Sequence, residues 1–143
     1  MAKLDSLIRV RKHTVEQQQK ALAELYRKAE EMKAERDALE TQLAIESEKS
    51  RELQPDMLEY FAAYVKQTRK TIDTIDRNRE KLERQIKLAQ EQLREAFAEQ
   101  KKIEIIDKRR KDAEAAKENA KESKDLDEIA IDGFRRKSEE GGD

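Results

Sequence analysis

The sequence predicts an all-α fold: a long antiparallel two-helix coiled-coil hairpin with a frayed C-terminal tail. Three observations predict it. First, 45% of the 143 residues are charged and only 36% are hydrophobic, too few to fill the core of a sphere of this size. Second, Lys and Arg number 32 against 33 Asp and Glu, a net charge of −1. Disorder goes with high net charge, whereas balanced, interspersed charge is the mark of long solvated helices. Third, the three glycines all fall in the last eleven residues and the single proline is Pro55, so residues 1–132 hold one strong helix breaker.

Helix one is expected over about residues 3–53. Its stripe runs Leu4, Ile8, Arg11, Val15, Gln18, Leu22, Leu25, Ala29, Met32, Arg36, Leu39, Leu43, Glu46, Ser50, Leu53. The steps alternate between four and three and ten of the fifteen residues are apolar, which is the period of a coiled coil. Glu16 with Lys20 and Glu24 with Lys28 stand four apart in the favourable order.

The turn is expected over about residues 54–56. Pro55 lacks a backbone donor and pushes Gln54 away from helical angles. Asp56 with Glu59 reads as a capping box opening the next helix.

Helix two is expected over about residues 57–122, followed by a flexible tail over 123–143. Its stripe runs Phe61, Val65, Thr68, Ile72, Ile75, Arg79, Leu82, Ile86, Ala89, Leu93, Ala96, Gln100, Ile103, with ten of thirteen apolar. Beyond Ile103 only Ala113, Ala116 and Ala120 continue it. Two such helices on a short link fold back on each other, each burying the other's seam, so a monomeric hairpin is favoured over a kinked parallel dimer. With the turn at 55, residue i should face roughly residue 110 − i. Helix two then overshoots the N-terminus, and the chain from about 107 has no partner of its own.

The chain offers little for catalysis, and no cofactor or metal is expected. Glycine is missing where a phosphate loop or a nucleophile elbow would need it, and there is no cysteine. The single histidine, His13, has neither a Cys nor a second His to complete a zinc site. Carboxylates on the solvated faces of a rod have no cleft in which to shift a pKa, so an enzyme is not expected. The N-terminus has no apolar signal core, and no run approaches the roughly 20 apolar residues of a membrane span. A cytoplasmic protein is expected.

Two clusters rise above this background. Lys3, Arg9, Arg11 and Lys12 converge with Lys101, Lys102, Lys108, Arg109, Arg110 and Lys111 in the hairpin arithmetic, giving a basic tip with Asp5, Glu104 and Asp107 between. No basic stripe continues from it and the pI is about 6.1, which speaks against nucleic acid. Met57, Leu58, Tyr60, Phe61 and Tyr64 crowd the first turns after the bend, more apolar surface than one seam can cover.

The opening Leu4-Asp5-Ser6-Leu7-Ile8-Arg9-Val10-Arg11-Lys12, then Leu22-Ala23-Glu24-Leu25, resembles the start of the flagellar export protein FliJ family. The tail Lys124-Asp125-Leu126-Asp127-Glu128-Ile129-Ala130-Ile131-Asp132-Gly133-Phe134-Arg135-Arg136-Lys137 is similar to the family's closing Leu-Asp-Glu element with a basic group after it. The resemblance implies a component of the flagellar type III export apparatus, similar to the rotor stalk of F-type ATPases. Its implied partners are the hexameric export ATPase, the cytoplasmic domain of the export gate membrane protein, and export chaperones. The implied contact with the membrane is peripheral, through those partners. Arg9, Arg11, Lys12, Lys108, Arg109 and Arg110 would meet the ATPase, and Tyr60, Tyr64, Thr68 and Thr71 the gate. An escort for export substrates or their chaperones, or a scaffold such as the equivalent stalk of a virulence secretion system, is the alternative.

Overall fold

A computed structural model describes residues 2–140, with side chains from Leu4 onward. It is all-α, with no strand among the described residues: α1 covers Ala2–Lys49, a short 3-10 turn covers Ser50–Glu52, and α2 covers Pro55–Glu140. The two long helices pack against each other as a hairpin. Two parts are compact in themselves, one formed by Arg11–Ala98 and the other by the N-terminal ten residues with the chain from Glu99.

The reversal follows from local chemistry. Ser50 Oγ donates to the Ser47 carbonyl at 2.6 Å, and the Leu53 N–H closes a tight turn on the Ser50 carbonyl at 3.1 Å. Leu53 is already extended, at φ −76° and ψ 145°. Pro55 forbids a helical Gln54 but suits the first position of a helix, where its missing N–H costs nothing. So α2 starts at Pro55 itself, and the Met57 N–H reaches the Gln54 carbonyl at 3.0 Å. Asp56 therefore lies inside the first turn, where its charge suits the positive end of the helix dipole, and is not the capping residue that its spacing to Glu59 suggests.

Within Arg11–Ala98 the core is a single seam. Val15, Leu22 and Leu43 of α1 are buried with Ile72, Ile75, Leu82 and Ala89 of α2. No large side chain is fully enclosed among the described residues, because two helices leave every core position open at one edge. Each buried Leu or Ile still contributes about 1.5–3 kcal/mol through apolar burial.

Polar bridges fix the register. Arg36 Nε donates to Asp76 Oδ1 at 2.6 Å, and Gln90 Nε2 donates to the Tyr26 hydroxyl at 2.7 Å. The paired residue numbers add to 112 and 116, where a fold-back centred on Pro55 gives 110. These sums put the midpoint of the fold-back at residues 56–58, inside the first turn of α2, which projects past the seam with residues 51–60 all exposed.

The C-terminal region also departs from expectation. Helix continues through residues 123–140, past the expected end near residue 122, while residues 141–143 lie outside those described. Past Pro55 the described chain contains no helix breaker except Gly133. Opposite charges stand four apart at Lys121 and Asp125, Lys124 and Glu128, and Asp132 and Arg136. Propensity and charge spacing favour helix here without any packed face, and every side chain from Lys108 to Glu140 is exposed.

Candidate protein-interaction surfaces

In the terminal part of the hairpin, Asp5 of α1 and Asp107 of α2 hold Lys111 between them. The Lys111 ammonium lies 3.0 Å from Asp107 Oδ2 and 3.7 Å from Asp5 Oδ1. The hydrogen bond to Asp107, then the charge of that carboxylate and of Asp5, raise the Lys111 pKa above its ordinary value. The Asp5–Lys111 numbers also add to 116. Asp107 is buried, and its Oδ1 has no hydrogen-bond partner. Sequence reasoning reads Asp107 only as an acid among the basic residues, although it stands at the next seam step after Ile103. The signal is an acid where an apolar residue belongs.

Of the basic residues expected at this end, Arg9, Lys108, Arg109 and Arg110 are exposed, and none of them is in a salt bridge among the described residues. Lys101, by contrast, is tied to Glu104 at 3.4 Å. The result is a run of three exposed cations directly after a buried acid, on a turn of α2 that Lys111 fixes. Arg11 and Lys12 belong to the other part of the chain. Lys12 is exposed, whereas Arg11 is half-buried on the seam with its Nε buried and without a hydrogen-bond partner. Buried polar groups of this kind cost stability, so Arg11 acts on the seam more than on the surface. The Lys3 side chain lies outside those described.

After the bend, the four residues expected to meet a partner separate into two kinds. Tyr60 is 73% exposed and Tyr64 37%. Thr68 is buried in the seam, and Thr71 is half-buried with its hydroxyl donating to the Gln67 carbonyl at 3.1 Å. Thr68 is thus spent on packing against α1 and does not belong to an exposed contact face. The surface that does exist is an open groove lined by Gln42, Glu46, Leu53, Met57, Tyr60, Phe61 and Tyr64. The Phe61 and Tyr64 rings lie 6.4 Å apart with planes tilted by 35°. Gln42 donates to Glu46 at 2.9 Å, which gives the groove one acidic wall. The part of this surface that the sequence does not assign is its α1 side, contributed by Gln42 and Glu46.

His13 is exposed, with Nε2 3.4 Å from the Gln17 amide. Among the described residues, no three His, Cys, Asp or Glu side chains converge to hold a metal ion, and no helix is long and apolar enough to cross a membrane.

Two long helices packed along a seam, with open charged and aromatic surfaces beside it, define a coiled-coil hairpin protein. The sequence model for the family described as flagellar FliJ protein matches residues 1–139. The chain belongs to that family, and with it to the components of the flagellar export apparatus. No curated protein and no solved structure matches the chain.

Proposed function

We propose that the chain is the stalk of the flagellar export machine, binding the hexameric export ATPase and coupling it to the export gate. The observation that supports this most is the exposed Lys108-Arg109-Arg110 run with Arg9, beside an α2 whose register is pinned by Lys111. Cations held outside internal ion pairs on a fixed helix suit an acidic surface lining a ring, because their charges reach it without first breaking a salt bridge. Gate contact falls to Tyr60 and Tyr64 with Met57, since Thr68 is buried. Exposed aromatics on a rigid helix bind with little loss of side-chain entropy. Export chaperones are a further partner of the same machine, and the membrane is met only through these proteins.

The test is stimulation of the purified export ATPase by the purified chain. Arg109→Glu with Arg110→Glu is expected to reduce stimulation at least about tenfold, the loss of roughly one charged contact, while leaving the far-UV circular dichroism unchanged. Retention of full stimulation and of motility in that variant would contradict the reading.

A further inference from the structure

Residues 124–137 form an amphipathic helix whose apolar face is exposed among the described residues. Leu126, Ile129, Ala130 and Phe134 recur at helical spacing, and Leu126, Ile129 and Phe134 are between 66% and 77% exposed. Charge along the same stretch is divided into blocks. After Lys124 come Asp125, Asp127, Glu128 and Asp132, without a base between them, and Arg135, Arg136 and Lys137 follow.

This division decides what can cover the face. A parallel in-register pair would stack the acidic block on itself and the basic triplet on itself. An anionic membrane would meet four acids around the apolar residues. An antiparallel second copy places unlike blocks together. With the two-fold axis at Ala130, Leu126 of one chain lies across from Phe134 of the other, and Ala130 from Ala130. On one flank of the helix Asp125 then meets Arg136, twice by symmetry. Gly133 lies on the paired face, and even a methyl group on its Cα would meet nothing within 4 Å, so the backbones can approach there.

We propose that two copies of this chain associate through an antiparallel pairing of their residues 121–139, independently of the stalk reading. The apolar surface involved is small, so association should be weak, with a dissociation constant on the order of 10 µM.

Sedimentation equilibrium on the full chain tests this, against a monomer mass of 16.8 kDa. A concentration-dependent dimer is expected. Ile129→Asp should weaken it about tenfold or more. These side chains are exposed, so the hairpin stays folded. Arg136→Asp should weaken the dimer, and adding Asp125→Arg in the same chain should restore it. Direction is read by thiol cross-linking, which the cysteine-free sequence permits. When Ser123→Cys and Lys137→Cys chains are mixed and oxidised, the mixed disulfide should dominate. Four outcomes would overturn the proposal: a monomer at concentrations up to about 200 µM, well above the expected constant; a dimer unaffected by Ile129→Asp; a preference for like disulfides, which means parallel pairing; or a monomer that binds anionic vesicles through Ile129 and Phe134.

Discussion

Leu82 and Leu126 lie in one helix and have equally charged neighbours, yet Leu82 is 5% exposed and Leu126 is 66%. The same contrast separates Arg11–Ala98 from residues 112–140 as wholes. In the first, apolar side chains keep strict four-three steps and a second helix lies against them. In the second, the steps persist only for a few residues, and the helix stands on propensity and spaced charges alone. Helix formation and helix packing are therefore distinct achievements of this sequence. Composition and the absence of breakers provide the first throughout, while the heptad stripe provides the second only where it is dense.

That contrast can be broken first at Leu82. Leu82→Ala is expected to destabilise the hairpin by about 2–4 kcal/mol in urea denaturation, and Leu126→Ala by less than about 0.5 kcal/mol. Equal effects would mean that the C-terminal helix is packed in the monomer. Next in size is Gly133→Ala. The added methyl meets nothing within 4 Å and the glycine is in ordinary helical conformation, so the change should raise local helix stability by about 1 kcal/mol. Increased helicity by circular dichroism and slower amide exchange over 124–140 would show it, with no change over Arg11–Ala98.

A smaller effect comes from the bridge between α1 and α2. Arg36 and Asp76 are only partly shielded, at 28% and 40% side-chain exposure. A double-mutant cycle on them should give a coupling of about 0.5–1 kcal/mol. Arg79, 4.0 Å from the same carboxylate, should then take up part of the bond in Arg36→Ala.

The smallest effect is in pH. The hydrogen bond from Arg27, with the Arg27 and Lys28 charges, lowers the Glu24 pKa below the ordinary carboxylate value of 4.5, against an opposing cost of desolvation. Its folded pKa lies below the unfolded one. The stabilisation is thus present above about pH 4.5 and is lost as pH falls through the depressed value. Lys111 has the opposite sign. Its folded pKa is raised, so its contribution is full below the unfolded value near 10.5 and disappears as pH rises through the folded one. Glu24→Gln should flatten the acid limb of a stability–pH profile slightly, and Lys111→Met the alkaline limb.

Much of this is legible in the sequence. Of the two heptad stripes, only Leu53 is exposed; every other member is buried or half-buried. The bend is legible because Pro55 has no competitor. Register is not, because the chain's numbering does not say where the fold-back is centred, and its midpoint falls in the first turn of α2 instead of at Pro55. The roles of Asp76 and Asp107 escape sequence reasoning for a related reason. Their roles depend on which cation the register brings opposite, Arg36 in one case and Lys111 with Asp5 in the other. The thinning seam predicts a helix end near residue 122, although the absence of breakers is equally visible and carries the helix on to Glu140. The exposed basic residues are legible as a cluster, but the half-buried state of Arg11 and the burial of Thr68 follow from seam positions whose residue types disguise them.

The central claim is that α1 folds back on α2 of the same chain, with Tyr26 against Gln90. A chain carrying Tyr26→Cys and Gln90→Cys, treated at low concentration with a short thiol cross-linker, tests it directly. The hairpin predicts a cross-linked monomer in high yield and little product from either single variant. Cross-linking only between chains, with no internal product at any dilution, would contradict it.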